Sequence, residues 1–162
     1  MAPDVRANLA VVPVNADGDL DLYLENVDEV AVDLVGWFTG DASASSTDGR
    51  FRLVAPDRAL DTRVSGGTLA PGVPLTLAPD VVPTSASAVA QNLTMVRTTG
   101  RSFVTAFPGA ASGVPEVSNV NASGSGQVRA ALAFTGVDAG AEQLVAGESA
   151  TDLLVDAFGW FE

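Results

Sequence analysis

The 162-residue chain has no histidine, no cysteine and no lysine, and all eight of its basic residues are arginine. These absences exclude most catalytic chemistry. Ser-His and Cys-His nucleophile pairs, lysine Schiff bases, the lysine of a phosphate-binding loop and zinc sites of the His or Cys type all need side chains this polypeptide lacks. Carboxylates, hydroxyls and guanidinium groups remain. The missing cysteines also rule out disulfide staples, but a chain of this length buries roughly 70% of its extended surface and builds a core without them. The expectation is a protein that is not an enzyme and holds no metal or cofactor.

Long apolar runs are absent too. None reaches the roughly 18 residues that cross a bilayer, and residues 1–30 carry neither the basic start nor the apolar stretch of a secretion signal. The chain therefore reads as soluble, without membrane insertion. Positive charge is scarce, with 8 bases against 20 acids and a net charge of −12. A surface of that sign repels phosphate backbones, so nucleic acid is not an expected partner. Residues 1–39 alone carry eight acids and one arginine. Such a segment repels copies of itself and suits either docking against Arg50, Arg52, Arg58 and Arg63, which cluster further along, or simple solubility.

What is present is a repeat. Residues 5–39 align without a gap to 128–162 at an offset of 123, with thirteen of 35 positions identical. The matches open on Val5, Arg6 and Ala7 with Val128, Arg129 and Ala130, and close on Val32, Asp33, Gly36, Trp37 and Phe38 with Val155, Asp156, Gly159, Trp160 and Phe161. Residues 40–49 are small and polar, which is linker composition. The predicted organisation is the C-terminal half of one repeat at 1–39, a linker at 40–49 and one complete β repeat at 50–162.

Short runs rich in Val, Leu and Ala, broken by turn residues every 8 to 12 positions, predict strands nearly throughout. Strands are expected at 88–96, 103–107, 129–134, 143–146 and 153–158, about eight to ten in the complete repeat and three in the tail. Residues 9–14 and 20–24 read as a hairpin around Asp17-Gly18, with Leu20, Leu22 and Leu24 facing inward. An all-β fold follows, and an antiparallel β-sandwich, Ig-like or jelly-roll-like, buries so many short strands best. A β-trefoil or β-prism is the alternative, because hairpin-like segments start near Asn8, Asn92 and Ala131, about a third of the period apart.

Phe51, Pro56, Arg58, Asp61, Thr62 and Arg63 form an F-x-x-x-x-P-x-R-x-x-D-T-R opening. It is followed by Asn92-Leu93-Thr94, by Ser118-Asn119-Val120-Asn121, and by a V-x-D-x-x-G-W-F close over 155–161. This ordered set resembles a β repeat domain widespread in secreted, often multi-domain proteins of actinobacteria and some other soil bacteria. Members usually carry an aromatic-rich G-Y-L-T-V-Y-P after the second strand. Here the stretch is Gly100-Arg101-Ser102-Phe103-Val104-Thr105-Ala106-Phe107-Pro108, with both Tyr positions changed. The resemblance implies a surface or stalk module, extracellular or at the cell surface. Together with the 123-residue repeat and the depleted catalytic palette, it gives the expectation of a non-catalytic structural, spacer or assembly repeat whose partners are copies of itself or adjacent repeats. A carbohydrate or cell-wall binding module is the alternative.

Arg58, Asp61 and Arg63 read as a structural clamp, with Asp61 accepting from one guanidinium and the other free for carbonyls of a neighbouring turn. Asp33 and Asp156 interrupt apolar strands and require partners, because an unpaired buried carboxylate is costly. Their recurrence in both copies favours an arginine or amide partner over a metal or acid catalyst. Trp37 and Trp160 are candidate glycan or interface aromatics, or strand-end packing. Asn15, Asp17, Asp19 and Asp21 alternate around Gly18 as calcium ligands do, but no bidentate Glu follows, so an acidic turn is expected. A carboxylate glycosidase needs two acids roughly 5–10 Å apart in a cleft, and no pair nominates itself.

Overall fold

Eight strands divide between two antiparallel sheets of four: β1 (Phe51–Asp61), β8 (Asp152–Phe161), β3 (Ala88–Val96) and β6 (Arg129–Gly136) in one, β2 (Leu75–Leu77), β7 (Glu142–Ala146), β4 (Ser102–Pro108) and β5 (Val120–Ala122) in the other. The computed structural model describes residues 4–27, 29–38, 46 and 48–162, and no helix occurs among them. The predicted strand at 88–96 coincides with β3, and those at 103–107, 129–134, 143–146 and 153–158 fall within β4, β6, β7 and β8.

The pairings β1·β8, β2·β7, β3·β6 and β4·β5 make one long two-limbed ribbon. Its outgoing limb is β1–β4 and its returning limb β5–β8. Rolling the ribbon adds β3·β8 and β4·β7 and produces two open sheets. That is the strand order of a jelly roll. Of the readings above, the jelly-roll sandwich is therefore the one found. The Ig-like order does not occur, and the trefoil or prism is overturned by two open four-stranded sheets.

Period-two alternation explains the core. Leu93 and Met95 of β3 and Leu153 and Val155 of β8 meet Val104, Leu144 and Val120 from the facing sheet, all essentially inaccessible to solvent. Alanines at 131, 133, 106, 122 and 146 leave the sheets close together. β1 lies at a sheet edge, where Pro56 costs no interior ladder bond, and its register slips between Leu53 and Asp57. The slip between β3 and β8 matters more. Gln91 and Ala90 pair with Ala157 and Gly159, so Phe158 is an extra residue, and the bulge turns Trp160 opposite Val89 and against the Val82, Ala86 and Ala157 cluster.

Glycine at 159 has a steric cause. A Cβ there would collide with the Phe51 ring and lie 2.9 Å from the Arg52 carbonyl oxygen. The opening Phe of the motif thus lies on the Gly of its close. Phe51, Phe134 and Phe38 surround Phe161 with ring centroids at 5.1, 5.2 and 6.1 Å.

The three strands expected in the tail are not formed among its described residues. The Asp17-Gly18 turn exists: Asn15 donates its N–H to the Asp19 carbonyl at 3.0 Å, and Gly18 has φ of +89°. No ladder extends from it, and Leu20, Leu22 and Leu24 all face solvent. The reason lies in the complete repeat. There β6 pairs with β3, β7 with β2 and β4, and β8 with β1 and β3, so the three returning strands never pair with one another. A segment holding only their counterparts has no partner within itself. Val30, Val32, Leu34, Val35, Trp37 and Phe38 stay exposed, each forgoing roughly 1.5–3 kcal/mol of burial. Residues 39–45 and 47, most of the expected linker, lie outside the described residues.

Candidate functional site

The D-T-R turn caps β1 where it leaves β8. Thr62 donates its N–H to the Leu153 carbonyl at 3.0 Å and accepts the Leu153 N–H on its hydroxyl at 2.8 Å. Beneath it the buried Asp152 carboxylate accepts hydroxyls from Thr68 at 2.7 Å and Thr62 at 3.4 Å, with Arg97 at 3.5 Å. These bonds tie the loop after β1 to the start of β8.

Arg58, Asp61, Arg63 and Asp156 come together on the outer face of the same strands. Arg63 forks onto Asp61 through Nε at 2.8 Å and Nη2 at 2.6 Å. Arg58 lies 3.6 Å from Asp61 and forks onto Asp156, its register partner across β1·β8. The second guanidinium thus goes to a carboxylate and not, as expected, to turn carbonyls. The Arg63 fork holds the Asp61 carboxyl down to about 2, and Asp61 in turn raises the Arg63 guanidinium. Arg58 is nearly half exposed, and ion pairs that face water contribute about 1 kcal/mol at most. Each of the four charged side chains in this strip is engaged in an ion pair.

Asp33 takes a different position from Asp156. It lines an open depression of about 550 Å³ with Ala31, Phe103 and the 114–118 loop, including Glu116. Among the described residues neither Asp33 nor Glu116 is held by a hydrogen bond or ion pair, whereas paired catalytic carboxylates need fixing to within about 0.5 Å. Trp160 packs on the second core cluster, while Trp37 is 80% exposed. The Asn15 side chain accepts the amides of Asp17 and Asp19 at 2.9 and 2.8 Å, so that oxygen serves the turn. Among the described residues no acid of the tail pairs with the arginines of the opening. Arg52 pairs with Glu162, Arg58 and Arg63 are engaged as above, and Asp4 contacts Arg129 at 3.3 Å instead.

One polar group was not anticipated from the sequence. Glu142 is fully buried between the sheets, where Gln91 donates to its Oε2 at 2.8 Å and its Oε1 has no partner. Desolvation pushes its carboxyl up to about 7. Its side chain is inaccessible to solvent, which makes it a group of the core. The signal was available: Glu142, Leu144 and Ala146 alternate along β7, which places the acid on the inward face.

The remaining motif residues splice strands. Asn119 donates its N–H to the Val104 carbonyl at 2.9 Å and accepts the Ala106 N–H on its side chain at 2.8 Å, carrying the β4·β5 ladder past the end of β5. The chain matches no protein-family model, and no curated protein or solved structure was found to be similar to it.

Proposed function

We propose that this chain is a non-catalytic structural and assembly repeat of an extracellular bacterial surface protein or filament, with adjacent copies of the same jelly roll as its partners. The observation that carries the reading is a β8 sequence present twice, docked at 152–161 and solvent-facing at 29–38. The resemblance of its motifs to secreted β repeats supports the location. The engaged state of its charged strip favours architecture over chemistry.

The chain ends of the repeat refine this. Gly49 donates to the Glu162 carbonyl at 2.8 Å and Glu162 to the Arg50 carbonyl at 3.0 Å, so a unit is entered and left at one pole. Such a module adds little length to an array and hangs on its linkers. Pendant, laterally associating units fit that geometry better than a rigid spacer. Light scattering at two protein concentrations in about 0.15 M salt, where like-charge repulsion is screened, is expected to give a mass rising above 16.4 kDa. A constant monomer mass removes self-assembly.

A second reading, a polysaccharide-binding module, is favoured by the exposed ring of Trp37, whereas Trp160 is half-buried against the second core cluster. The jelly roll serves capsids and lectins alike and decides neither way. If this reading holds, Trp37→Ala abolishes pull-down on cell-wall polysaccharide. Unchanged binding eliminates it.

A further inference from the structure

We infer that residues 29–38 are a spare β8 strand and that their partner is the β1–β5 portion of the same jelly roll, a polypeptide segment of the type of residues 50–127 that presents a free slot between a β1-like and a β3-like strand. The inference rests on the assembly reading above and names the partner it requires. β8 reads DLLVDAFGWF and residues 29–38 read EVAVDLVGWF: five of ten positions are identical, and the others exchange acid for acid or apolar for apolar. The two stretches nevertheless differ completely in surroundings. β8 is buried or half-buried throughout, and residues 29–38 are exposed throughout.

Three docking features of β8 have unfilled counterparts in the tail, although the Phe38 ring lies 6.1 Å from that of Phe161. Gly159 lies under the Phe51 ring, whereas Gly36 has nothing within 4 Å of where its Cβ would be. Asp156 holds Arg58, whereas Asp33 has no ion pair among the described residues. Trp160 pairs with Val89, and Trp37 with nothing in the sheets. Charge agrees with this assignment. Residues 50–127 carry six arginines against four acids and residues 1–39 one arginine against eight acids, the same polarity that residues 50–127 and 128–162 bring together within the complete repeat. The slot in the chain's own jelly roll is occupied by β8, between β1 and β3, and an intact second copy is closed in the same way. The partner is therefore a β1–β5 portion whose remaining strands are supplied by the tail.

The test is amide hydrogen exchange on a tandem chain in which a second copy of residues 50–127 directly precedes residues 5–162, compared with the 162-residue chain. Residues 29–38 are expected to exchange at unstructured rates in the chain alone and at least about 100-fold more slowly in the tandem. Gly36→Leu, which meets open space in the chain alone but would strike a Phe51-type ring, is expected to return them to fast exchange in the tandem while β1–β8 stay protected. Asp33→Arg is expected to do the same by opposing an Arg58-type guanidinium. Unprotected residues 29–38 in the tandem, or protection that survives both substitutions, overturns the inference. Concentration-dependent mass of the original chain alongside an unprotected tandem removes this partner and keeps the assembly reading. Constant mass with a protected tandem does the reverse.

Discussion

Replacing Glu142 with Gln is expected to stabilise the protein by about 3 kcal/mol at pH 8 and to leave it nearly unchanged at pH 4. The carboxyl is inaccessible to solvent, its Oε1 is unpaired, and burial raises it from 4.5 to about 7. Its folded value lies above its unfolded one. The folded state therefore holds the proton more tightly, and the resulting stability is complete below about pH 4.5 and lost as pH rises through about 7. The amide substitution keeps the shape and the acceptor for Gln91 without the charge. Urea unfolding of both proteins across pH 4–8 gives the answer: diverging curves are expected, and parallel ones would show that the carboxylate is solvated in the folded state.

Asp61 acts in the opposite direction. The Arg63 fork lowers its carboxyl from 3.8 to about 2, so its stabilisation is present above pH 3.8 and is lost as pH falls toward 2. Together the two groups favour the fold most between about pH 3.8 and 4.5, and the Glu142 contribution is eroded progressively as pH rises from there through about 7.

The local elements were legible because their causes are local. Alternating apolar residues between Pro and Gly boundaries mark β3 as a strand, and the apolar Leu153-Leu154-Val155 run before Gly159 marks β8. The closure of the fold was not legible. Pairings such as Arg58 with Asp156 join residues 98 apart, and alternation alone reveals which face a residue takes but not which strand lies beside it. The same distinction accounts for the tail. Residues 20–24 alternate as well as any strand in the jelly roll, yet a strand is defined by hydrogen bonds to a neighbour, and this neighbour belongs to the other limb. The charged clamp was half legible: spacing in the D-T-R motif put Asp61 beside Arg63, while the destination of Arg58 depended on a register fixed by the whole sheet.

The second large effect comes from making one substitution at two equivalent places. Gly159→Leu is expected to destabilise the protein by about 3 kcal/mol, because the new side chain enters space held by the Phe51 ring and approaches the Arg52 carbonyl, a backbone atom that cannot turn aside. Phe51 can swing outward, but doing so exposes its contact with Phe161 and strips the cover from the end of β8. Gly36→Leu is expected to change stability by less than about 0.5 kcal/mol, since nothing approaches that position and its backbone is not left-handed. Thermal melts of the two variants beside the wild type measure the difference directly. A comparable loss at both sites would mean that residues 29–38 are already docked in a β8-like slot. A loss at neither would mean that Phe51 does not lie over β8 in solution.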